Sequence, residues 1–447
     1  METPTERVVL VGFERRRGLK SGGGADTDAE ESFAELSELA ASAGAEIAGT
    51  LFQSRQDPDA ATLLGQGKVQ ELKELAAAAQ ADLVVVDFDL SPTQQRNLEA
   101  AVELRVIDRT QLILDIFAKR ARTAEGRLQV ELAQLKYILP RLSGHGASMT
   151  RQGGGIGTRG PGETKLETDR RRISVRIKKL EKDIEHVRSG RALHRENRDS
   201  IPVPTISMAG YTNAGKSTLF NRLTRAGVLA DAKMFATLDP TVRGITLPSR
   251  RKVLLSDTVG FVRNLPTTLI EAFRATLEEV ADAELILHIV DVSSEQAGAH
   301  VKEVFRVLEE IGASGTKQIL VLNKCDRLPE GERNAALIGH RLLEEARRDL
   351  ATPSVLVSGM TGEGLYDLFA RIDEVLVFDD VRTVRFRVPA GDGAAFALLH
   401  QCGKVITEVY DGEICELEVQ APESLRRKLS SYMVLCQETP VENSVQK

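Results

Sequence analysis

The sequence predicts a multidomain α/β protein, and three observations carry that prediction. Apolar strands alternate with helix patterns over residues 6–119. A complete glycine-rich phosphate loop stands between a strand and a helix from Gly210. Between these regions, two leucine/isoleucine stripes flank a glycine-rich segment. A chain of 447 residues is long enough for about three domains. With 42% apolar and 28% charged residues, it has the balance of a globular protein rather than a disordered one. No apolar run reaches the ~18 residues of a membrane span. The opening METPTERVVLVGFERRR lacks a signal peptide's apolar core. Cys325, Cys402, Cys415 and Cys436 form no CxxC pair, which suits a reducing, cytoplasmic setting.

In chain order, residues 6–12 (ERVVLVG) read as a buried strand and residues 17–32 as a flexible polar insertion. A helix is expected at 33–43, a strand at 45–53, a helix at 66–80 and the strand DLVVVDF at 82–88. Ser91-Pro92 opens a helix, a short strand lies near Val106, and a helix follows at 110–119. The alternation predicts a small α/β domain with a largely parallel sheet over residues 1–120. GQGK at 65–68 resembles half of a phosphate loop but lacks the full spacing and the preceding strand.

Residues 121–200 are expected to form an antiparallel helical hairpin. Leu128, Leu132, Leu135 and Leu139 make one stripe, and Leu166, Ile173, Ile177, Leu180, Ile184 and Val187 make the other. The segment 143–162 between them holds eight glycines and no acid. Such a loop can lie close along a nucleic-acid backbone, with Arg151 and Arg159 on phosphate. Gly155, Gly157 and Gly160 fit GxGxxG by spacing, but no strand precedes them and Pro161 follows, which argues against a dinucleotide site. Charge points the same way. The chain's net charge is −6, yet residues 141–198 hold 15 Lys/Arg against 7 Asp/Glu, so the remainder is strongly acidic. A basic module in an acidic protein is the footprint of a region that meets phosphate.

Residues 201–378 open with the Pro-bounded strand IPVPTISMAG, then Gly210, Tyr211, Thr212, Asn213, Ala214, Gly215, Lys216 and Ser217, the full GxxxxGK[ST] loop. Its backbone N–H groups would cradle a β-phosphate, Lys216 would reach the β- and γ-phosphates, and Ser217 would hold Mg²⁺. Strand KVLLSD then delivers Asp257, Thr258, Val259 and Gly260. Asp257 is expected to bind Mg²⁺ through water, and the Gly260 N–H to sense the γ-phosphate. Strand KQILVL ends in Asn323, Lys324, Cys325 and Asp326. A carboxylate there can accept from guanine N1–H and N2–H₂, which adenine does not offer. Ser358, Gly359 and Met360 stand where a loop would cover the base. These motifs, in this order, predict a P-loop GTPase domain binding GTP and GDP. Phe235, Ala236, Thr237, Leu238, Asp239 and Thr241 form the expected first switch, with Thr237 and Thr241 both candidates for the Mg²⁺ threonine. A metabolic nucleotide kinase could use the same loop, but DTVG and NKCD argue against one.

The glycine loop GGGIGTRGPGETKLETDRRR, the phosphate loop GYTNAGKSTLFN, FATLDPT and DTVGF together resemble the HflX GTPases over roughly residues 6–447. The resemblance implies a bacterial GTPase that binds the large ribosomal subunit and rescues or splits stalled ribosomes under stress. It implies a glycine loop facing ribosomal RNA near the peptidyl-transferase centre, and it favours Thr237 as the Mg²⁺ ligand beside Ser217. The family's amino-terminal region has been linked to ATP use, for which GQGK is the one hint in this chain. No catalytic side chain is assigned. Phe261 stands where signalling G proteins carry a water-orienting glutamine, so intrinsic hydrolysis is expected to be slow. Asn213 resembles the asparagine that binds K⁺ in some translation-associated GTPases. An amphipathic helix at 364–376 closes the domain, and residues 379–447 read as a small α+β domain of strand, helix and a strand pair around Asp411-Gly412. A monomer is expected.

Overall fold

The computed structural model describes residues 5–15, 25–144, 161–198, 203–224, 235, 241–249, 251–263, 274–376 and 382–434. The amino-terminal sheet is four-stranded and parallel, in the order β2-β1-β3-β4 (Glu46–Arg55, Arg7–Arg15, Leu83–Val86, Arg105–Asp108). Helices α1 (Ala25–Ala43), α2 (Gln66–Ala78), α3 (Pro92–Val102) and α4 (Arg109–Arg120) accompany it. Strand β1 is apolar on both faces because both are covered: Val8 and Leu10 enter one core, Val9 and Val11 another. The predicted Ser91 start of α3 is a full capping box, with Ser91 and Gln94 satisfying each other's backbone amides.

One expectation fails here. Residues 17–32 are not an insertion throughout, since α1 begins at Ala25, well before residue 33. The acidic run looks like solvent-facing chain in one dimension, yet Ser32 bonds to Asp87 and Glu35 to Arg109 once the helix lies on the sheet.

Helices α5 (Ala124–Ile138) and α6 (Pro161–Arg198) carry the two predicted stripes, and the stripes meet. Leu132, Ile177, Leu180 and Ile184 are buried together, with Leu128, Leu135, Leu139 and Ile173 against them. Glu131–Arg176 (2.7 Å) and Lys136–Glu181 (3.0 Å) flank the seam. Arg170, Arg171, Arg172, Lys178, Lys179 and Lys182 lie along α6, all of them exposed. Arg151, Arg159 and most of the glycine loop lie outside the described residues.

The second sheet has six strands in the order β10-β9-β8-β5-β7-β6. These are Ser354–Leu356, Lys317–Asn323, Leu285–Asp291, Thr205–Gly210, Lys252–Asp257 and Thr241–Thr246, and only β6 runs antiparallel to its neighbour. Helices α7 (Lys216–Thr224), α8 (Arg274–Ala281), α9 (Ala297–Glu310), α10 (Ala335–Glu345) and α11 (Leu365–Val375) accompany it. The C-terminal ends of its parallel strands carry the nucleotide motifs, as open α/β sheets place their ligands. One apolar cluster runs from Val8, Leu10 and Leu36 of the first domain through Phe261 to Leu277 and Ile286 of the second, so the two share a core.

The third sheet is antiparallel, β12-β13-β11-β14 (Lys404–Asp411, Ile414–Ala421, Arg382–Pro389, Met433–Val434), with α12 (Gly393–Cys402) and α13 (Glu423–Lys428). Phe386, Leu399, Cys415, Leu417 and Val419 form its core, and the expected strand pair turns at Asp411-Gly412. Cys415 is a free cysteine packed in this core, while Cys436 lies outside the described residues. Among the described residues, no helix is long and apolar enough to cross a membrane.

Candidate functional site

Strand β5 hands Gly210 to the phosphate loop, and α7 begins at Lys216. Gly215 has φ +90°, and a Cβ there would run into Asn323 Nδ2, so both backbone and space demand glycine. Buried Lys216 donates from Nζ to the carbonyls of Gly210 (3.0 Å) and Tyr211 (2.9 Å). Burial pulls its pKa down to about 8, against the opposing pull of Asp257. Ser217 Oγ donates to Asp257 Oδ2 at 2.9 Å, where β7 ends in the interior. A hydroxyl and a carboxylate side by side offer the hard oxygen chemistry that Mg²⁺ takes, so the residues fit the ion. Thr258 turns its hydroxyl to Met208 O at 2.6 Å and serves the strand rather than the site.

At the base end, Asn323 ties two loops together. Its Nδ2 donates to Ala214 O (2.8 Å), and its Oδ1 accepts from the Gly359 N–H (2.9 Å). The Ser358 side chain accepts from the Thr361 N–H (3.0 Å), and the Cys325 N–H donates to Val357 O (3.2 Å). The Cys325 side chain is buried, whereas Asp326 and Met360 remain exposed at the rim, where a base can meet them.

The DTVG segment is pinned to the phosphate loop. Thr212 N–H donates to Phe261 O (2.7 Å), and Phe261 N–H donates to Gly210 O (3.1 Å). A Cβ on Gly260 would lie 2.9 Å from Thr212 Cγ2 and 3.0 Å from Lys216 Nζ, so a side chain there would crowd the phosphate loop. The Phe261 ring is 1% exposed and sits in the core shared with the amino-terminal domain. Phe235 lies there too, at φ +56°, its ring edge-on to Phe117 with centroids 4.6 Å apart. The motif pattern puts Phe235 among the nucleotide contacts; its side chain is instead an anchor between domains. Ala236, Thr237, Leu238 and Asp239 lie outside the described residues. Thr241 opens β6, paired in register with Asp257.

A polar network that no sequence motif marks adjoins the phosphate loop. Tyr211 Oη donates to Glu35 Oε1 (2.9 Å) and accepts from the Arg263 N–H (2.8 Å). Burial and the Glu35 charge push the Tyr211 pKa up, which keeps the phenol a donor. Glu35 and Asp87 together hold the Arg109 guanidinium at 2.6 and 2.9 Å. Burial works against that charge, but the two carboxylates outweigh it. His300 stacks on Tyr211, ring centroids 3.9 Å apart, and meets Glu31 at 3.1 Å. Burial drops the His300 pKa to about 4, against the opposing pull of Asp291. An aromatic at a variable position of the loop is the one signal in the sequence, and it names no partner. GQGK, by contrast, is an ordinary helix start: Gly65 caps α2, and Lys68 pairs with Glu71 at 2.8 Å.

Three family models match successive stretches of the chain. Residues 30–118 match a family described as "GTP-binding GTPase N-terminal" and residues 120–198 one described as "GTP-binding GTPase Middle Region". Residues 205–324 match "50S ribosome-binding GTPase". The chain is 45% identical to the GTPase HflX of Caldanaerobacter subterraneus subsp. tengcongensis, over 91% of each chain. It is 41% identical to the GTPase HflX of Escherichia coli (strain K12), over 93% of this chain and 94% of that one. Among solved structures, a GTP-binding protein from Sulfolobus solfataricus in complex with GDP is 24% identical, with TM-score 0.44, over 83% of this chain and 98% of that one.

Proposed function

The chain belongs to the HflX family of GTPases, and from that premise we propose that it hydrolyses GTP with Mg²⁺ while bound to the large ribosomal subunit, splitting or rescuing stalled ribosomes under stress. The observation that carries the nucleotide part is the meeting of Lys216, Ser217, Asp257 and Asn323 around one loop. Lys216 exchanges two carbonyls for phosphate oxygens, and the α7 N-terminus adds its dipole. Ser217 and Thr237 would hold Mg²⁺, with Asp257 acting through water, and the ion would supply positive charge against the phosphates. Asp326 reads the guanine edge, and the Gly260 amide reads the γ-phosphate. Asn213, exposed at φ +60°, is the residue for a K⁺ ion beside the phosphates.

The exposed cations of α6 and the glycine loop with Arg151 and Arg159 support the ribosomal RNA contact, since phosphate contacts draw on such charge. The Glu35–Tyr211–Arg263 network supports coupling, because it joins the amino-terminal domain to both phosphate loop and DTVG segment. A cytoplasmic monomer built of units 1–120, 121–200, 201–378 and 379–447 completes the reading. A second reading is a nucleotide-gated assembly factor of the large subunit, in which hydrolysis only resets binding. The buried Phe261 ring favours it, since an apolar side chain polarises no water.

The test is GTP turnover in potassium buffer with and without purified large subunits. Stimulation of about tenfold or more, some 1.4 kcal/mol of barrier, is expected. Tight GTP-dependent binding without stimulation would favour the assembly factor, and neither binding nor stimulation would remove the ribosome from the proposal.

A further inference from the structure

Strand β8 ends in Asp291, which no motif of the nucleotide site includes. Its Oδ2 lies 2.6 Å from Lys324 Nζ, both side chains being largely buried. Its Oδ1 accepts from the Ser293 N–H (3.0 Å) and Ser293 Oγ (2.6 Å), so the carboxylate is held by its own loop as well as by the lysine. Lys324 has φ +64°, a left-handed backbone conformation that residues with a side chain rarely adopt. Its stem passes over the phosphate loop, with Cε 4.0 Å from where a Cβ on Gly215 would stand. Asp291 also pairs in register with Asn323, whose carbonyl accepts from the Val292 N–H at 3.1 Å.

We propose that Asp291 is a positioning residue for nucleotide binding: acting through Lys324, it holds the lysine stem across the phosphate loop and so fixes the spacing between base pocket and phosphate cradle. Asp291 touches no substrate atom. The Asn323 side chain meets the loop at Ala214, and the Lys324 stem, held by Asp291, approaches it at Gly215. Neither contact involves the γ-phosphate. Loss of Asp291 therefore weakens GTP and GDP alike, which is uniform binding and leaves the chemical step alone.

The inference rests on the site being a guanine-nucleotide site, so the full-length wild type is measured first with fluorescent GTP and GDP analogues. Failure of the wild type to bind either would overturn the site itself and with it this residue's role. Given wild-type binding, Asp291→Asn should lose about tenfold in affinity for both nucleotides, mainly through faster release, with kcat at saturation within about twofold. Lys324→Met should show the same loss, and the double variant no more than either single one, since the two residues act as a unit. Wild-type affinity in Asp291→Asn, a loss additive with Lys324→Met, or a fall in kcat at unchanged affinity would each overturn the assignment. Because the lysine variant tests the pair from its other side, an unstable Asp291→Asn leaves the question decidable.

Discussion

Single residues in the site have charge states and contacts set by their surroundings. Lys216 titrates near pH 8 because burial disfavours its ammonium form. Phosphate binding requires that form, so nucleotide binding takes up a proton once the free protein has lost it. Affinity for GTP should be flat below about pH 7 and fall as pH rises through the lysine's value. By about pH 9 it should be some tenfold weaker. Calorimetry in two buffers of different ionisation heat reads the proton directly, and pH-independent affinity would refute the assignment. Asp326, exposed at the rim, is the residue proposed to choose the base. Asp326→Asn should cut preference for GTP over ATP by about a hundredfold or more, because an amide there donates where guanine also donates. Competition of ATP against a GTP analogue measures it, and an unchanged preference would remove Asp326 from the base pocket.

Among elements, the segment after β7 is held on two sides. It is fixed to the phosphate loop by two backbone hydrogen bonds and to the amino-terminal domain by the Phe261 ring. Phe261→Ala should cost about 3–5 kcal/mol of stability, since a fully buried ring leaves a cavity in a shared core. Phe261→Leu should cost much less. Denaturant unfolding compares the two, and equal, small losses would mean that the ring is not a structural anchor. Helix α1 is constrained in a similar way. Its acidic residues, Glu31 and Glu35, meet Arg263, His300, Arg109 and Tyr211, so the helix acts as one wall of the loop's surroundings.

For the whole molecule, charge separation is the organising feature. Basic side chains concentrate on residues 141–198, while the nucleotide motifs lie on a sheet whose core is continuous with the amino-terminal sheet. Arg151→Ala with Arg159→Ala should weaken subunit binding and flatten the log–log salt dependence by about two units, one per lost phosphate contact. Co-sedimentation across a salt series reads both. Unchanged binding at moderate salt would place the RNA contact elsewhere on the molecule.

Much of this protein is legible in its local chemistry. The spacing of Gly210 to Ser217, the strand ends at Asp257 and Asn323, and the two apolar stripes depend on residues near one another in sequence, and each appears where the pattern places it. What the sequence does not reveal depends on residues far apart. Glu35 lies 176 positions from Tyr211, and Asp291 lies 33 from Lys324. An acidic helix looks solvent-facing until a sheet and a second domain are laid against it, and Phe235 looks like a switch residue until Phe117 is beside it. Periodicity and motif spacing encode which backbone forms and where its loops point. Which charges neutralise one another, and which rings share a core, follows only from the packing of domains, because that packing decides what is removed from water.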